Sequence, residues 1–462
     1  MSSEEKPWFG LGGSISMTHR ARLLLALSLA LGAAGILQPG TRLAAPLLST
    51  SLGLLAYTLI AAYLVSVKAS VISELRVERE VPEPLVEGRE AVIRLRVVNE
   101  SLLALDNTVI RDNPPSLFGA GKPPSTVALI PARGGIELVY VVKPVLGRHE
   151  WGSVYVESLD PLGLFKAGQR LGSATQVTVQ PMVPALPRRR VAAALVYQPG
   201  GVAGTRRRGV GVEFLELREY QPGDDMRLIE WKTYARTRRL AVKVFEQEGL
   251  IRLVAVLDEQ PTMFRGMPGA TPVEQGARLV AGLVAYSAPR GDIVRVAVIP
   301  ATGRRTYYTG WLRGRRALVH AERILAERTR WPRSTSPRPL GESVERYRGL
   351  LRLALRGQSA IILVTDLGLS TEEARLFAER FHRVARSYGV PVLVIVPRPG
   401  PVRDPYWGLE ALETLSAQER VVQALRGAGV PVIHAEPGAA LRELARVVEY
   451  ARLVGAWPRL GS

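Results

Sequence analysis

Ile251-Arg252-Leu253-Val254-Ala255-Val256-Leu257-Asp258-Glu259-Gln260-Pro261-Thr262 is the stretch on which the fold turns. Apart from Arg252 it is an apolar run of strand length that stops at an acidic residue and a proline. A strand with one wet face alternates, whereas a run this uniform belongs between two covered faces. Downstream the texture repeats. Apolar runs at Ile293–Ile299, Ala360–Thr365, Val390–Val396 and Val430–His434 alternate with amphipathic stretches at Val273–Ser287, Leu312–Glu327, Ser343–Leu355, Thr371–Tyr388, Glu410–Arg426 and Ala439–Val454. Arg305–Tyr308 reads as a strand paired with Ile293–Ile299. Such alternation predicts an α/β domain over residues 250–457, with a doubly wound, mostly parallel sheet.

Upstream the pattern is different. Ile72–Glu80, Ala91–Val98, Thr126–Ile130, Ile136–Lys143, Glu150–Glu157 and Gln176–Gln180 read as short strands between Pro, Gly and Asn clusters. They predict a small antiparallel β-sandwich over 70–183. Residues 184–249 join the two domains and begin as a linker rich in Arg, Gly and Pro, with runs at Arg188–Arg190 and Arg206–Arg208.

Further toward the N-terminus, Leu23–Thr41 and Leu43–Val67 contain no charge except for the intervening Arg42. A membrane span needs about 20 residues at 1.5 Å each, so both runs qualify. The link Gln38-Pro39-Gly40-Thr41-Arg42 predicts a tight helical hairpin over 21–67, after a tail of residues 1–20. A cleaved signal peptide with Arg20 and Arg22 as its basic region is one competing reading, and it would still leave the second run as an anchor; buried helices of a soluble protein are the other, and they fit badly because neither run has a polar face. The flanks carry Lys6, Arg20 and Arg22 before the hairpin and Lys68, Arg76 and Arg79 after it, against Arg42 alone in the loop. That asymmetry predicts a multi-pass protein of the cell membrane with the large domains in the cytoplasm.

The chain of 462 residues has a formal charge of +19, and only seven of its 61 basic residues are Lys. There is no Cys, which excludes disulfides, thiolate catalysis and Cys-based metal sites. Residues 251–462 carry 31 basic and 19 acidic side chains, so the excess lies mainly in the α/β part. Anionic lipid, an acidic protein or nucleic acid would each suit that charge. Nucleic acid is disfavoured, because no zinc finger, helix-turn-helix or aromatic-interleaved basic motif is recognised. The five His residues are scattered, with no HExxH, Walker A or GxSxG pattern.

Three stretches are distinctive. One is Gly147-Arg148-His149-Glu150-Trp151-Gly152, followed by Asp160-Pro161-Leu162-Gly163-Leu164-Phe165. The second runs from Glu213 to Glu248 and includes Arg218, Tyr220, Gly223, Asp224, Arg227, Ile229, Trp231, Ala235 and Arg236. The third is Val256–Met263. Together they resemble the membrane-anchored family called domain of unknown function 58, whose members are similar to von Willebrand factor type A domains at their C-terminus. The resemblance implies no established biochemical activity. It implies a protein partner, a MoxR-type AAA+ ATPase or its client, and a chaperone-like or assembly role.

The resemblance also implies a Mg²⁺ loop of the Asp-x-Ser-x-Ser kind. Here that loop reads Asp258-x-Gln260-x-Thr262, with Asp366 as the late Asp and Thr335 as the candidate middle Thr. Gln260 is longer than Ser, so the expectation is a degenerate, ligand-facing crevice with weak Mg²⁺ or none. In the second stretch Arg218, Tyr220, Gly223, Asp224, Arg227, Trp231 and Arg236 suit either a structural clamp of ion pairs and aromatic rings or a partner-binding surface. The sequence therefore favours a non-enzymatic, membrane-anchored scaffold or adaptor. The alternatives are a hydrolase or transferase using the Asp258/Asp366 crevice, and a binder of anionic lipid or nucleic acid.

Overall fold

The computed structural model describes residues 14–119, 123–184, 208–209, 213–222, 224–246, 251–302, 305–354, 359–401 and 405–454. Lys6, Gly223 and most of the Arg-rich linker, including Arg188–Arg190, lie outside the described residues. The chain divides into two compact units. One contains the residues up to Val145 together with His149–Val177; the other contains Leu146–Arg148 and everything from Thr178.

In the first unit, β1 (Ser14–Met17) leads into two helices, α1 (His19–Leu37) and α2 (Ala44–Ser73). Both are long and apolar enough to cross a membrane. They meet through small residues: Ser28 Oγ donates to Ser51 O at 2.8 Å, and Ser51 Oγ returns a bond to Ser28 O at 2.7 Å. A Cβ added at Gly32 would lie 2.8 Å from Ser51 Oγ, and one at Gly35 would lie 2.8 Å from Leu48 Cγ. Small side chains thus set how closely the backbones approach, and each serine hydroxyl is satisfied by the other helix's backbone carbonyl.

The strands that follow are β2 (Arg76–Glu80), β3 (Leu85–Val86), β4 (Ala91–Asn99), β5 (Leu105–Arg111), β6 (Ser125–Ile130), β7 (Gly134–Val142), β8 (Gly147–Trp151), β9 (Val154–Leu159), β10 (Phe165–Leu171) and β11 (Thr175–Gln180). With β1 they form three sheets: two antiparallel ones ordered β1-β10-β9-β5-β6 and β2-β4-β7, and a third ordered β3-β11-β8. Alternation along β4 buries Ala91, Ile93, Leu95 and Val97 and exposes the residues between them.

α2 does not stop where its apolar run ends. Val65, Ala69 and Ile72 pack into the same core as Leu95, Leu105, Ile110 and Val156. Lys68 Nζ donates to Leu159 O at 2.7 Å and pairs with Asp106. Thr18, just before α1, bonds Leu164 O through its backbone N–H and Gly163 O through its hydroxyl, both at 2.8 Å. Both ends of the hairpin are therefore fastened to the β sheets. Two expectations are corrected: residues 14–17 form a strand rather than a free tail, and Ile72 and Ser73 belong to a helix whose apolar face continues to Ile72.

In the second unit a small sheet of order β12-β14-β13 is formed by β12 (Arg208–Gly209), β13 (Glu213–Glu219) and β14 (Ala241–Glu246), with α3 (Trp231–Thr237) between the last two. The large sheet comprises β15 (Arg252–Asp258), β16 (Ile293–Ile299), β17 (Tyr307–Tyr308), β18 (Ser359–Val364), β19 (Val392–Ile395) and β20 (Val432–Ile433). Its order is β17-β16-β15-β18-β19-β20, all parallel except the edge strand β17. Helices cover both faces. On one lie α4 (Pro272–Ser287), α5 (Gly314–Arg328) and α11 (Pro437–Val454). On the other lie α6 (Glu342–Tyr347), α7 (Leu350–Leu353), α8 (Thr371–Phe377), α9 (Arg383–Ser387) and α10 (Pro405–Gly427). α4 starts on a capping box in which Thr271 and Glu274 satisfy each other's backbone groups. Two helices expected to be continuous are broken: Ser343–Leu355 divides at Arg348-Gly349, and Thr371–Tyr388 contains a π turn at Ala378–His382.

The chain's lack of Cys gives a direct test of the hairpin. Ser28→Cys with Ser51→Cys should form a cross-link on mild oxidation, since the two hydroxyls are 3.5 Å apart. Adding Gly32→Leu and Gly35→Leu should abolish it on a non-reducing gel. Cross-linking that survives would show that these glycines do not set the helix spacing.

Candidate functional site

β15 and β18 lie side by side at the centre of the large sheet, and the chain leaves them in opposite directions, to β16 and to β19. Open sheets of this kind place their crevice at such a point, beyond the carboxyl ends of the strands. Asp258 ends β15, and Thr365-Asp366 follow β18. The structure thus brings together Asp258, Gln260, Thr262 and Asp366, all at most 1% exposed.

Asp258 is fully engaged by protein groups. One carboxylate oxygen accepts from Arg338 Nη1 at 2.9 Å. The other accepts from Gln260 Nε2 and Thr365 Oγ1, each at 2.9 Å, and from the Tyr347 hydroxyl. Arg338 is only 5% exposed, and its Nη2 donates to Glu259 O at 2.9 Å and Pro300 O at 2.8 Å. Gln260 Nε2 also donates to Ser343 Oγ at 2.6 Å. Asp366 accepts from Thr262 Oγ1 at 2.7 Å and from the Gly368 N–H at 2.9 Å. The turn holding Gly368 has positive φ at Leu367 (51°) and Leu369 (57°), a conformation costly for leucine and held here by the surrounding contacts.

Burial governs protonation. It pushes Asp366 up to about 6, against the pull of Thr262 and the Gly368 N–H. It pushes Glu259 up to about 8, so this carboxyl is largely protonated at neutral pH. One Glu259 oxygen accepts from the Thr329 hydroxyl, and the other has no hydrogen-bond partner among the described residues. Burial first, then the Asp258 charge, raises the Tyr347 hydroxyl well above its ordinary range, keeping it a donor.

A divalent cation does not fit this arrangement. Mg²⁺ requires near-octahedral oxygen ligands and keeps several waters. The Asp258 oxygens are already committed to four donors, and a guanidinium occupies the adjacent cation position. The ligand-facing crevice expected from Asp258, Gln260, Thr262 and Asp366 is accordingly closed, with Gln260 facing Asp258 and Ser343. Thr335 stands in the same loop as Arg338, but no hydrogen bond joins its side chain to Asp258 or Asp366 among the described residues. The sequence reading missed Arg338, Tyr347, Thr365 and Glu259. Thr365 and Glu259 adjoin the acidic positions, whereas the Pro-flanked Arg338 gave no local signal.

The Glu213–Glu248 stretch forms β13, a turn, α3 and β14. Arg218 pairs with Asp224, which also accepts from the Gln221 N–H at 2.8 Å. The Arg218 guanidinium holds the Asp224 carboxyl below its usual range. Asp225 caps the next turn through the Arg227 N–H at 3.0 Å, and Glu230 caps α3 while pairing with Lys243. Of the clamp expected from the sequence, these ties engage the side chains of Arg218 and Asp224. Its aromatic half is corrected: Trp231 is 57% exposed, touching Tyr234 edge-on with ring centres 6.3 Å apart. Arg227 and Arg236 are also exposed and make no ion pair with another described residue, and Tyr220 is half-buried. A seven-residue helix on a three-stranded sheet has too little interior to bury an indole.

Residues 216–398 match the family model described as protein of unknown function DUF58. No curated protein matches the chain. Similar solved structures include the GH20 exo-β-N-acetylglucosaminidase from Vibrio harveyi in complex with N-acetylglucosamine, at 14% identity and TM-score 0.16, covering 74% of this chain and 60% of that one. Another is β-glucuronidase 2 of Bacteroides uniformis covalently bound to cyclophellitol-6-carboxylate aziridine, at 9% identity and TM-score 0.15, covering 78% and 33%. The chain spans 60% or less of these proteins, and likeness at such scores supports no argument about fold or chemistry.

Arg338→Ala should cost about 3–5 kcal/mol of stability, the usual penalty for leaving a buried charge without its partner. Calorimetric titration of the intact protein with MgCl₂ or MnCl₂ should give no specific heat. Micromolar binding abolished by Asp258→Ala would overturn the closed reading. Glu259 is an acid raised on folding, so the native state binds its proton more tightly than the unfolded chain. Its contribution is full below the unfolded carboxyl range and is lost as pH rises toward about 8. The melting temperature should therefore fall across that window in the parent, and fall less in Glu259→Gln.

Proposed function

We propose that the chain is a membrane-anchored, non-enzymatic scaffold that holds a protein partner on its second unit. The observation that carries this reading is the exposed face of α3. Trp231, Lys232, Ala235 and Arg236 follow one another around a short helix, with Tyr234 beside them. Arg227, Lys232, Arg236 and Arg238 make no ion pair with another described residue. Trp, Tyr and Arg are the residues that dominate protein interfaces, and a large exposed indole is costly to leave in water. Unneutralised cations around it suit a partner segment with acidic side chains and an apolar anchor.

The switch-point carboxylates support the non-enzymatic part. They are spent on internal hydrogen bonds, and no nucleophile–base pair opens onto solvent there among the described residues. The two apolar helices support the anchor, and the basic flanks support cytoplasmic domains. The resemblance to von Willebrand factor type A domains and to a family found beside MoxR-type AAA+ ATPases suggests such an ATPase, or its client, as the partner and assembly as the process.

The test is capture of a purified, co-encoded MoxR-type ATPase by the full chain in detergent. Trp231→Ala should weaken capture by about 2 kcal/mol or more, roughly thirtyfold. Its melting temperature should stay near the parent value, since exposed substitutions usually stay within about 0.5 kcal/mol. Lost stability with unchanged capture would make Trp231 a packing residue. For orientation, a reporter active only outside the membrane, fused after Ser462, should stay silent.

A further inference from the structure

Between Asp292 and Glu322 the chain has no acidic residue, yet it carries Arg295, Arg304, Arg305, Arg313, Arg315 and Arg316. The structure lays residues 307–312 of this stretch along the outer edge of the large sheet. Tyr307 and Tyr308 pair antiparallel with Val298 and Ala297, and Leu312 bridges Val294. Thr309 exchanges bonds with Val296 through its backbone N–H at 2.9 Å and its hydroxyl at 3.0 Å. Residues 307–312 therefore run beside Val294–Val298 of β16, for about 13 Å at roughly 3.3 Å per residue along that strand.

Guanidinium groups lie along this edge. Arg305 and Arg328 approach the Tyr307 ring, at 5.9 and 4.4 Å from its centre. Arg295 lies over Trp311 at 4.6 Å and Tyr308 at 5.7 Å. Arg313, Arg315 and Arg316 stand at the start of α5. Arg305, Arg313, Arg315, Arg316 and Arg328 are exposed, and none makes an ion pair with another described residue. The arrangement is a stripe of unneutralised cations braced by aromatic rings.

We propose that this edge binds the phosphate headgroups of anionic lipid, docking the second unit on the bilayer that holds the apolar helices. The proposal rests on the anchored reading of those helices, because a tethered domain meets the lipid surface at high effective concentration. Two features favour lipid over single-stranded nucleic acid. The nucleic acid would stack its bases on open aromatic faces, and here guanidinium groups cover the faces of Tyr307 and Trp311. Tyr and Trp beside Arg also suit the headgroup layer, where a ring can be partly apolar and partly wet.

Gly310 offers a clean probe position. A Cβ there meets nothing within 4 Å, and the chain has no other Cys to label. Gly310→Cys, labelled with an environment-sensitive fluorophore, is incorporated into nanodiscs of phosphatidylcholine alone or with an equal part of phosphatidylglycerol. Emission should shift to shorter wavelength and brighten only in the anionic discs. The shift should be lost when salt is raised from about 0.1 to about 1 M, which shortens the screening length from about 10 to about 3 Å. It should also be lost in Arg305→Gln/Arg313→Gln/Arg315→Gln/Arg316→Gln and kept in the matching Lys set, with melting temperature confirming that both sets fold.

Equal emission in both discs, or a shift that survives the Gln set, would overturn the proposal. A response to a single-stranded oligonucleotide in phosphatidylcholine discs, without one to phosphatidylglycerol, would reassign the edge to nucleic acid. Failure to enter discs at all would overturn the anchor and this proposal with it. Entry without a shift overturns this proposal alone.

Discussion

The buried pair of Asp258 and Arg338 is the constraint around which the carboxyl end of the large sheet is built. A carboxylate with no access to water must be matched by positive charge and by donors on its remaining lone pairs. Arg338 supplies the charge, and Gln260, Thr365 and Tyr347 supply the donors. Meeting that demand fixes several segments at once: the loop before α6, the Tyr347 end of α6, the turn after β15 and the start of the turn after β18. A cation borne by the chain needs no ligand exchange and leaves no open coordination position. Recognition at this end of the molecule must then use the outside of the closing loop or another surface altogether.

The two exposed basic surfaces differ in chemistry. The α3 face is compact and centred on one large indole ring, which suits a shaped pocket or an apolar side chain on a partner. The β17 edge is long and narrow, and its rings already carry guanidinium groups, which suits a surface of repeated negative charge. A net charge of +19 alone would not distinguish them. Both surfaces stand out from the rest of that charge because carboxylates leave their cations unneutralised: Arg218 and Lys243 are paired, whereas Arg236 and Arg313 make no ion pair with another described residue.

Much of the architecture was legible because it follows from periodicity. Apolar runs between amphipathic helices gave the strands of the large sheet to within two or three residues, since a strand covered on both faces leaves an unbroken signature. β5 and β10 were missed: Leu105–Arg111 and Phe165–Leu171 each mix exposed polar and buried positions irregularly. β1 was missed because four residues give no period. At the site, Asp258 and Asp366 could be found because strand ends are readable. Arg338 could not, since it lies 80 residues away from Asp258 in a loop and only the folded topology joins them. The exposure of Trp231 was likewise a property of how little packs over α3, which a motif does not record.

α2 has one more consequence. It is a single helix of 30 residues, so it extends about 45 Å, whereas a bilayer's hydrocarbon layer is about 30 Å thick. On the proposed anchored reading, the excess is a rigid post rather than a flexible leash, and its last turns are inserted in the β core. Headroom between the lipid and the β sheets would then be a fixed length written into the helix. Inserting or deleting residues after Val67 would change that height by about 1.5 Å each and turn the β sheets by about 100° about the post.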